Sequence, residues 1–305
     1  MTLKPRMTVG QLVESMKASG VLGAGRLAKA VDILTEMFSD PDYTNFLSLA
    51  GPMVPGGLRN VIGLLIDRGY VDAIVASGAN IVHDVIESIG FKGIMGCGED
   101  DDVILRKKGM GRAGDIFFEQ AGFSAFEDSI YQIFDELVER KSESLAFYEL
   151  MAKIGETLED PNSLLKKAVI HNVPIFSPGI MDSMLGFHIW TYSQLKSLHF
   201  NPVLNLDRLA EIVNRSQKVG ALILGGGTSK HYVLGANILR EGVDAAIQIT
   251  LDRQEGGSLS GAPLEEAISW RKAQTKSKLV TVIGDATIVF PVIVAATLEK
   301  LDNKE

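Results

Sequence analysis

The chain has a single cysteine, Cys97, among 305 residues, which excludes an intramolecular disulfide. It also lacks a long apolar run. The most continuous one, Ile288 to Ala296, is nine residues broken by Pro291, whereas a helix crossing a bilayer needs about 20. Positive charge is in deficit, 30 Lys and Arg against 38 Asp and Glu. The net charge of −8 argues against a general nucleic-acid binder and suits a cationic partner. His83, His171, His188 and His199 have no metal-ligand spacing with one another or with Cys97, so no metal site is expected. There is no repeat of fixed period and no low-complexity segment. The Met1 region shows no apolar signal segment, and a reducing cytoplasm is the expected compartment.

What is present is an ordinary globular composition, 46% hydrophobic and 22% charged. Val9, Leu12, Val13 and Met16 have the spacing of one helix face. Asn45 to Leu49, Ala73 to Val75, Val173 to Phe176, Ala221 to Leu224, Ala245 to Ile249 and Leu279 to Ile283 read as short buried strands. Helical patterns over Leu58 to Arg68, Phe123 to Arg140, Leu206 to Arg215 and Tyr232 to Leu239 alternate with them. That order predicts an α/β fold, a doubly wound, mostly parallel sheet with helices on both faces. The polar stretch Gly155 to Ser163 is the best candidate for an internal boundary, but it is short, and residues 1–305 are read as one domain.

In such a sheet the loops after the carboxyl ends of the strands build the site. Ala221 to Leu224 runs into Gly225, Gly226 and Gly227, then Thr228, Ser229, Lys230 and His231. The glycines serve either a close ligand approach or a tight strand-to-helix turn, and without a GK[ST] ending they are no phosphate loop for a nucleoside triphosphate. Gly109, Gly111 and Gly114 spell GxGxxG, and Gly23 and Gly25 fit GxGxxA, but neither set stands between a strand and a helix; both are expected to be turns. His231 is read at the start of a helix, where the positive dipole end favours a neutral, proton-accepting imidazole. Asp285 and Asp182, each after a strand, suit either a helix N-cap or a carboxylate on a ribose hydroxyl.

The segment GGSLSGAPLEEAISWRK, Gly256 to Lys272, leads to one lysine. A primary amine attacks carbonyls and imines only when neutral, and an apolar wall and a neighbouring cation, here Trp270 and Arg271, both favour that form. Glu265 and Glu266 lie nearly two turns earlier if the segment is helical, where they suit a cationic amine. The competing reading is an exposed amphipathic helix whose charges solvate one face.

The stretches EEAISWRK, SLSGAP, GGGTSKH and, at Gly284 to Pro291, GDATIVFP stand in the same order and at similar spacing in deoxyhypusine synthases. On these motifs the chain resembles a short, archaeal-type member of that family, with weaker similarity over nearly its whole length. The resemblance implies a Rossmann-like fold of the deoxyhypusine synthase type. It implies NAD-dependent transfer of the 4-aminobutyl group of spermidine to a lysine of the translation initiation factor 5A precursor, through an enzyme-lysine imine, in a homotetramer with sites across a dimer interface. Carried over by motif, Lys272 forms the imine, His231 is the general base, and Glu266 and Trp270 position the amine. Ser77, Gly78, Asp182, Gly225, Gly226, Gly227, Ser260 and Asp285 fall at NAD-contact positions.

Four positions depart from the family pattern. Phe187 and Leu259 stand where many members carry acids, Gly235 where they carry an asparagine, and Arg271 where a glycine is common. Fewer buried anions weaken the hold on a triply charged amine. An aminobutyl transferase acting on a small amine such as putrescine, of the homospermidine synthase kind, is therefore the first alternative. A non-catalytic NAD-binding homologue is the second, and a reactive lysine beside a histidine speaks against it.

Overall fold

The computed structural model describes residues 1–96, 101–139 and 144–303. Cys97, and Arg140 at the expected end of one helix, lie outside the described residues. Among the described residues nine strands are formed: β1 Tyr43–Leu49, β2 Ala73–Ala76, β3 Ile94–Met95, β4 Met110–Ala113, β5 Ile116–Glu119, β6 Ile175–Phe176, β7 Lys218–Leu224, β8 Val243–Thr250 and β9 Ala273–Ile283. Contacts divide the chain into two compact units. The first comprises 1–50, 70–75 and 207–305, and the second 51–69 and 76–206. Gly155 to Ser163 falls inside the second.

The first unit is built on neighbouring strands in the order β2, β1, β7, β8, β9. The pairs β1 with β7, β7 with β8, and β8 with β9 are all parallel, running from Tyr43 opposite Lys218 to Leu49 opposite Leu224 in the first of them. Every residue of β7 from Val219 on is buried, without the alternation of a half-exposed strand, so both faces of the sheet are covered. Helices Leu22–Ser39 and Ala286–Asp302 pack on each other and on β8, and Gly227–Ala236 packs on β1. The apolar run Ile288 to Ala296 is thus the middle of a docked helix. No helix among the described residues is long and apolar enough to cross a membrane. With β2 on one side of β1 and β7 on the other, strand order reverses between β1 and β7. The carboxyl ends at this switch point are where open α/β sheets bind ligands.

The second unit holds the small antiparallel sheet β3-β5-β4. The GxGxxG of Gly109 to Gly114 belongs to it: Gly111 lies in β4 and Gly114 in the hairpin turn at φ 63°, so the motif is a turn and strand as expected. Gly23 and Gly25 instead lie within helix Leu22–Ser39, not in a turn. A Cβ at Gly25 would come within 2.6 Å of the Gly20 carbonyl, so this glycine serves helix-to-turn packing. The unit also contains a buried ionic hub. Asp84 Oδ1 accepts from Arg59 Nε (2.7 Å) and the Leu164 amide (3.0 Å), and Oδ2 accepts from Ser163 Oγ (2.8 Å) and the Leu165 amide (3.0 Å).

Candidate active site

The segment before Lys272 is mostly loop, and only Glu266–Ser269 is α-helical, which excludes the extended amphipathic helix. Gly256, Gly257, Gly261 and Pro263 leave no room for a longer one. The single turn closes with paired bonds, Arg271 N–H to the Ile268 carbonyl (3.0 Å) and Lys272 N–H to the Ala267 carbonyl (2.8 Å). This is the Schellman pattern, which requires a left-handed residue at its last position but one. Arg271 fills it at φ 57°, a conformation that glycine would adopt without strain. Its side chain is exposed to solvent.

Lys272 then enters at the start of β9, its carbonyl accepting from the Val243 amide at the start of β8 (3.0 Å). The lysine is therefore not at a strand's carboxyl end, as the general rule suggested. The loop from Leu251 to Arg271 carries the chain back to the opening residues of the sheet. Nζ of Lys272 lies 3.2 Å from Nε2 of His231 and 5.5 Å from the centroid of the Trp270 ring. An ammonium can only donate, so Nε2 accepts and a neutral ring carries its proton on Nδ1. Helix Gly227–Ala236 begins four residues before His231, so the imidazole is one turn in and not at the dipole's first turn. Partial desolvation, and after it the Lys272 charge, hold its pKa below the ordinary histidine value.

The glycine turn takes a specific shape. Gly225 (φ 78°) and Gly227 (φ 60°) are left-handed, and a Cβ on Gly226 would lie 2.4 Å from the Ser260 Cα. The turn and the Ser260 loop are thereby in direct backbone contact. Gly226 is the helix N-cap and offers no side chain, so no side-chain cap occupies the first-turn amides. Asp285 follows β9 and caps helix Ala286–Asp302, one oxygen accepting from the Thr287 amide (2.8 Å) and hydroxyl (2.8 Å). Both readings of Asp285 stay open, because a carboxylate has a second oxygen. Glycine turn, Ser260 and Asp285 are the set in this unit that fits a dinucleotide, with open helix amides for phosphate and a carboxylate for ribose.

Glu266 is exposed and forms no side-chain ion pair among the described residues. Trp270 is 68% exposed and Leu259 51%. A side chain at Gly235 would start 3.8 Å from the His231 ring, so glycine leaves that face of the imidazole open. Ser77, Gly78 and Asp182 belong to the second unit. There Asn80 Nδ2 donates to Ser77 Oγ (2.9 Å), and a Cβ on Gly78 would meet Ser183 at 2.5 Å, so the starts of helices Gly78–Ser88 and Met184–Ser193 adjoin. Asp182, exposed, immediately precedes that Ser183 cap, and Phe187 is 61% exposed. No group of three or more potential metal ligands gathers among the described residues. A cavity of about 420 Å³ beside Gly261 and Glu265 is lined also by Arg26, Lys29 and Arg253, but by neither Lys272 nor His231.

Two residues of this neighbourhood escaped sequence reasoning. Lys230 is buried and donates to Gln248 Oε1 (2.9 Å) and to the carbonyls of Leu259 (3.0 Å) and Ala262 (2.6 Å). Burial lowers its pKa to about 8 against the opposing pull of Glu266 and Glu265. Gln248, also buried, donates to the carbonyls of Gly225 (2.9 Å) and Ser260 (2.7 Å). A glutamine inside the apolar run AAIQIT was the available signal.

The deoxyhypusine synthase family model matches residues 11–297. A probable deoxyhypusine synthase of Methanothermobacter thermautotrophicus is 46% identical over 99% of this chain and 97% of its own length. One from Methanopyrus kandleri is 41% identical over 97% and 95%. The crystal structure of a "putative deoxyhypusine synthase" from Entamoeba histolytica superposes with a TM-score of 0.71 over 96% of this chain and 94% of that one, at 21% identity, and so shares the fold. A family match spanning nearly the whole chain, with the motif lysine and histidine in contact, leads to one conclusion: the chain belongs to the deoxyhypusine synthase family of transferases.

Proposed function

We propose that this protein transfers the 4-aminobutyl group of spermidine, with NAD as cofactor, to a lysine of the translation initiation factor 5A precursor. The observation that carries this reading is the 3.2 Å contact of Lys272 Nζ with His231 Nε2 beneath the Trp270 ring, in a chain of this family. Bound NAD would supply the oxidation of the donor amine and the closing reduction. Gly225, Gly226, Gly227, Ser260 and Asp285 would hold it within the first unit, while Ser77, Gly78 and Asp182 of the second keep the NAD-contact role that the family resemblance gives them.

His231, kept neutral, accepts a proton at Nε2. Lys272, once neutral, attacks the imine carbon of the oxidised donor; the C–N bond to the diaminopropane remainder breaks, and a lysine imine remains. The acceptor lysine then attacks the same carbon and displaces Lys272. Trp270 holds cationic nitrogen by cation-π attraction and Glu266 by charge. Assembly as a homotetramer and work in the cytoplasm belong to this reading.

Phe187, Leu259 and Gly235 together favour a second reading. Two exposed apolar side chains and a glycine stand where the family resemblance puts acids and an asparagine, which suits a less cationic amine or a small-amine acceptor such as putrescine. Mass spectrometry of the protein incubated with NAD, spermidine and either acceptor separates the two. Borohydride reduction should trap an aminobutyl group on Lys272. Labelling that persists in Lys272→Arg would overturn the assignment, because a guanidinium stays protonated.

A further inference from the structure

We propose that Lys230 is a positioning residue which, together with Gln248, fixes the Leu259–Ala262 loop on the Gly225–Gly227 turn and thereby sets the affinity of the site for NAD. The inference rests on the reading above for its ligand, and on contacts within one unit for its geometry.

Lys230 is 4% exposed and Gln248 wholly buried. All three ammonium hydrogens of Lys230 are used, on Gln248 Oε1 and on the Leu259 and Ala262 carbonyls. Both amide hydrogens of Gln248 go to the Gly225 and Ser260 carbonyls. Of these five bonds, four end on backbone: three on the loop and one on the turn. A buried ammonium is costly, and the usual remedy is a carboxylate in contact. Among the described residues Lys230 has no such contact; Glu265 and Glu266 act on it only from a distance.

Neutral oxygens of an irregular loop are poor compensation for a charge, but they are good definers of position. Each of the residues Leu259, Ser260 and Ala262 is tied by its own carbonyl to one of two side chains that the helix and strand hold rigidly. Gly226 completes the device, because the Ser260 Cα lies 2.4 Å from where a Cβ on Gly226 would be, too close for any side chain there. The loop cannot slide without breaking several of these bonds together. Ser260, the loop's candidate cofactor contact, is held at its centre, and the residue following Lys230 is His231.

The test compares the full-length wild type with Lys230→Met, which keeps the stem and removes the donors. Without ligand, amide exchange at Gly261 and Ala262, both bonded to the Ser258 carbonyl, should accelerate about tenfold, while helix Ala286–Asp302 is unchanged. By calorimetry the NAD dissociation constant should rise about tenfold, while the rate of trapping on Lys272 at saturating NAD stays within about twofold. A merely structural role would lower the melting temperature and leave the NAD affinity of the folded protein unmoved.

Unchanged loop exchange overturns the clamp, and faster exchange with unaltered NAD affinity overturns the positioning role. If the wild type bound no NAD, the proposed function would fail, while the exchange experiment would still judge the clamp. Should Lys230→Met not fold, Gln248→Met breaks the other half of the network and is read in the same way.

Discussion

Nζ of Lys272 stands 3.2 Å from Nε2 of His231, so the imidazole titrates in the field of the lysine's charge. Desolvation is the larger cause of the lowered His231 pKa and the Lys272 charge the smaller. Lys272→Ala should therefore raise the His231 pKa part of the way toward the ordinary value of about 6.5 and not to it. Proton NMR of the imidazole, assigned with His231→Gln, measures this. A histidine whose folded pKa is depressed contributes stability that is present above the unfolded value near 6.5 and lost as pH falls through the folded one. The Lys272→Ala variant should lose less stability over that window than the wild type. Identical acid limbs would mean that the contact carries no coupling.

Arg271 pays a conformational cost that glycine would not. A left-handed arginine is strained by about 1 kcal/mol, partly offset by the greater freedom of glycine in the unfolded chain. Arg271→Gly should stabilise the fold by about 0.5 kcal/mol and raise the melting temperature by roughly 1–2 °C, whereas the β-branched Arg271→Val should lower it. Because the side chain is exposed, trapping on Lys272 should change little in the glycine variant; a large change would give Arg271 a direct part in tuning the amine.

The strands were readable because parallel β7 and β8 are buried on both faces, so VGALIL and AAIQIT carry their own signal. The motif residues Lys272 and His231 were readable too, but their contact was not, since it spans 41 positions. Amphipathic spacing over Gly256 to Lys272 pointed to a helix, and the glycines and Pro263 limited it to one turn. Lys230 escaped notice for a general reason: lysine is almost never buried, and nothing local announces the loop carbonyls that receive it. A left-handed Arg271 is likewise invisible until the two bonds closing its turn are seen.

Asp285 has one duty the structure defines and one that is proposed. Asp285→Ala removes the cap of helix Ala286–Asp302 and should cost about 1 kcal/mol, seen as a melting decrease of roughly 2–4 °C. Asp285→Asn keeps an oxygen for the Thr287 amide and should restore most of that loss. If the carboxylate also binds a ribose hydroxyl, the asparagine variant remains weakened for NAD in calorimetry. Wild-type affinity in Asp285→Asn would reduce the residue to a cap.

The Arg59–Asp84 hub makes a sharper claim about stability. Asp84→Ala leaves Arg59 with Asp160 and Glu87 as its remaining carboxylates and strands three further buried donors, and should cost about 3–5 kcal/mol in urea unfolding. Breaking the exposed Lys153–Glu156 pair should cost less than about 1 kcal/mol. A joint Arg59→Leu, Asp84→Leu replacement should cost less than the sum of the two single changes, because neither residue then keeps a buried charge without its opposite at this contact. Strict additivity would deny the pair its interdependence.

If the site takes an amine as proposed, the anions around Lys272 should decide which one. Glu266 carries no side-chain ion pair of its own among the described residues, so its charge is free for a substrate ammonium. If it holds one, Glu266→Gln removes a charge-assisted bond worth roughly 1.5 to 3 kcal/mol, or about 10- to 150-fold in spermidine affinity, and leaves NAD affinity alone. Leu259→Asp adds a carboxylate where the family resemblance implies one and should tighten spermidine relative to putrescine. Calorimetry of both variants with both amines reads the difference directly. A loss in Glu266→Gln with a gain in Leu259→Asp places a triply charged donor in this pocket. Unchanged spermidine affinity in both would move the small-amine reading ahead, because a pocket that ignores the gain and loss of a carboxylate is not selecting its ligand by charge.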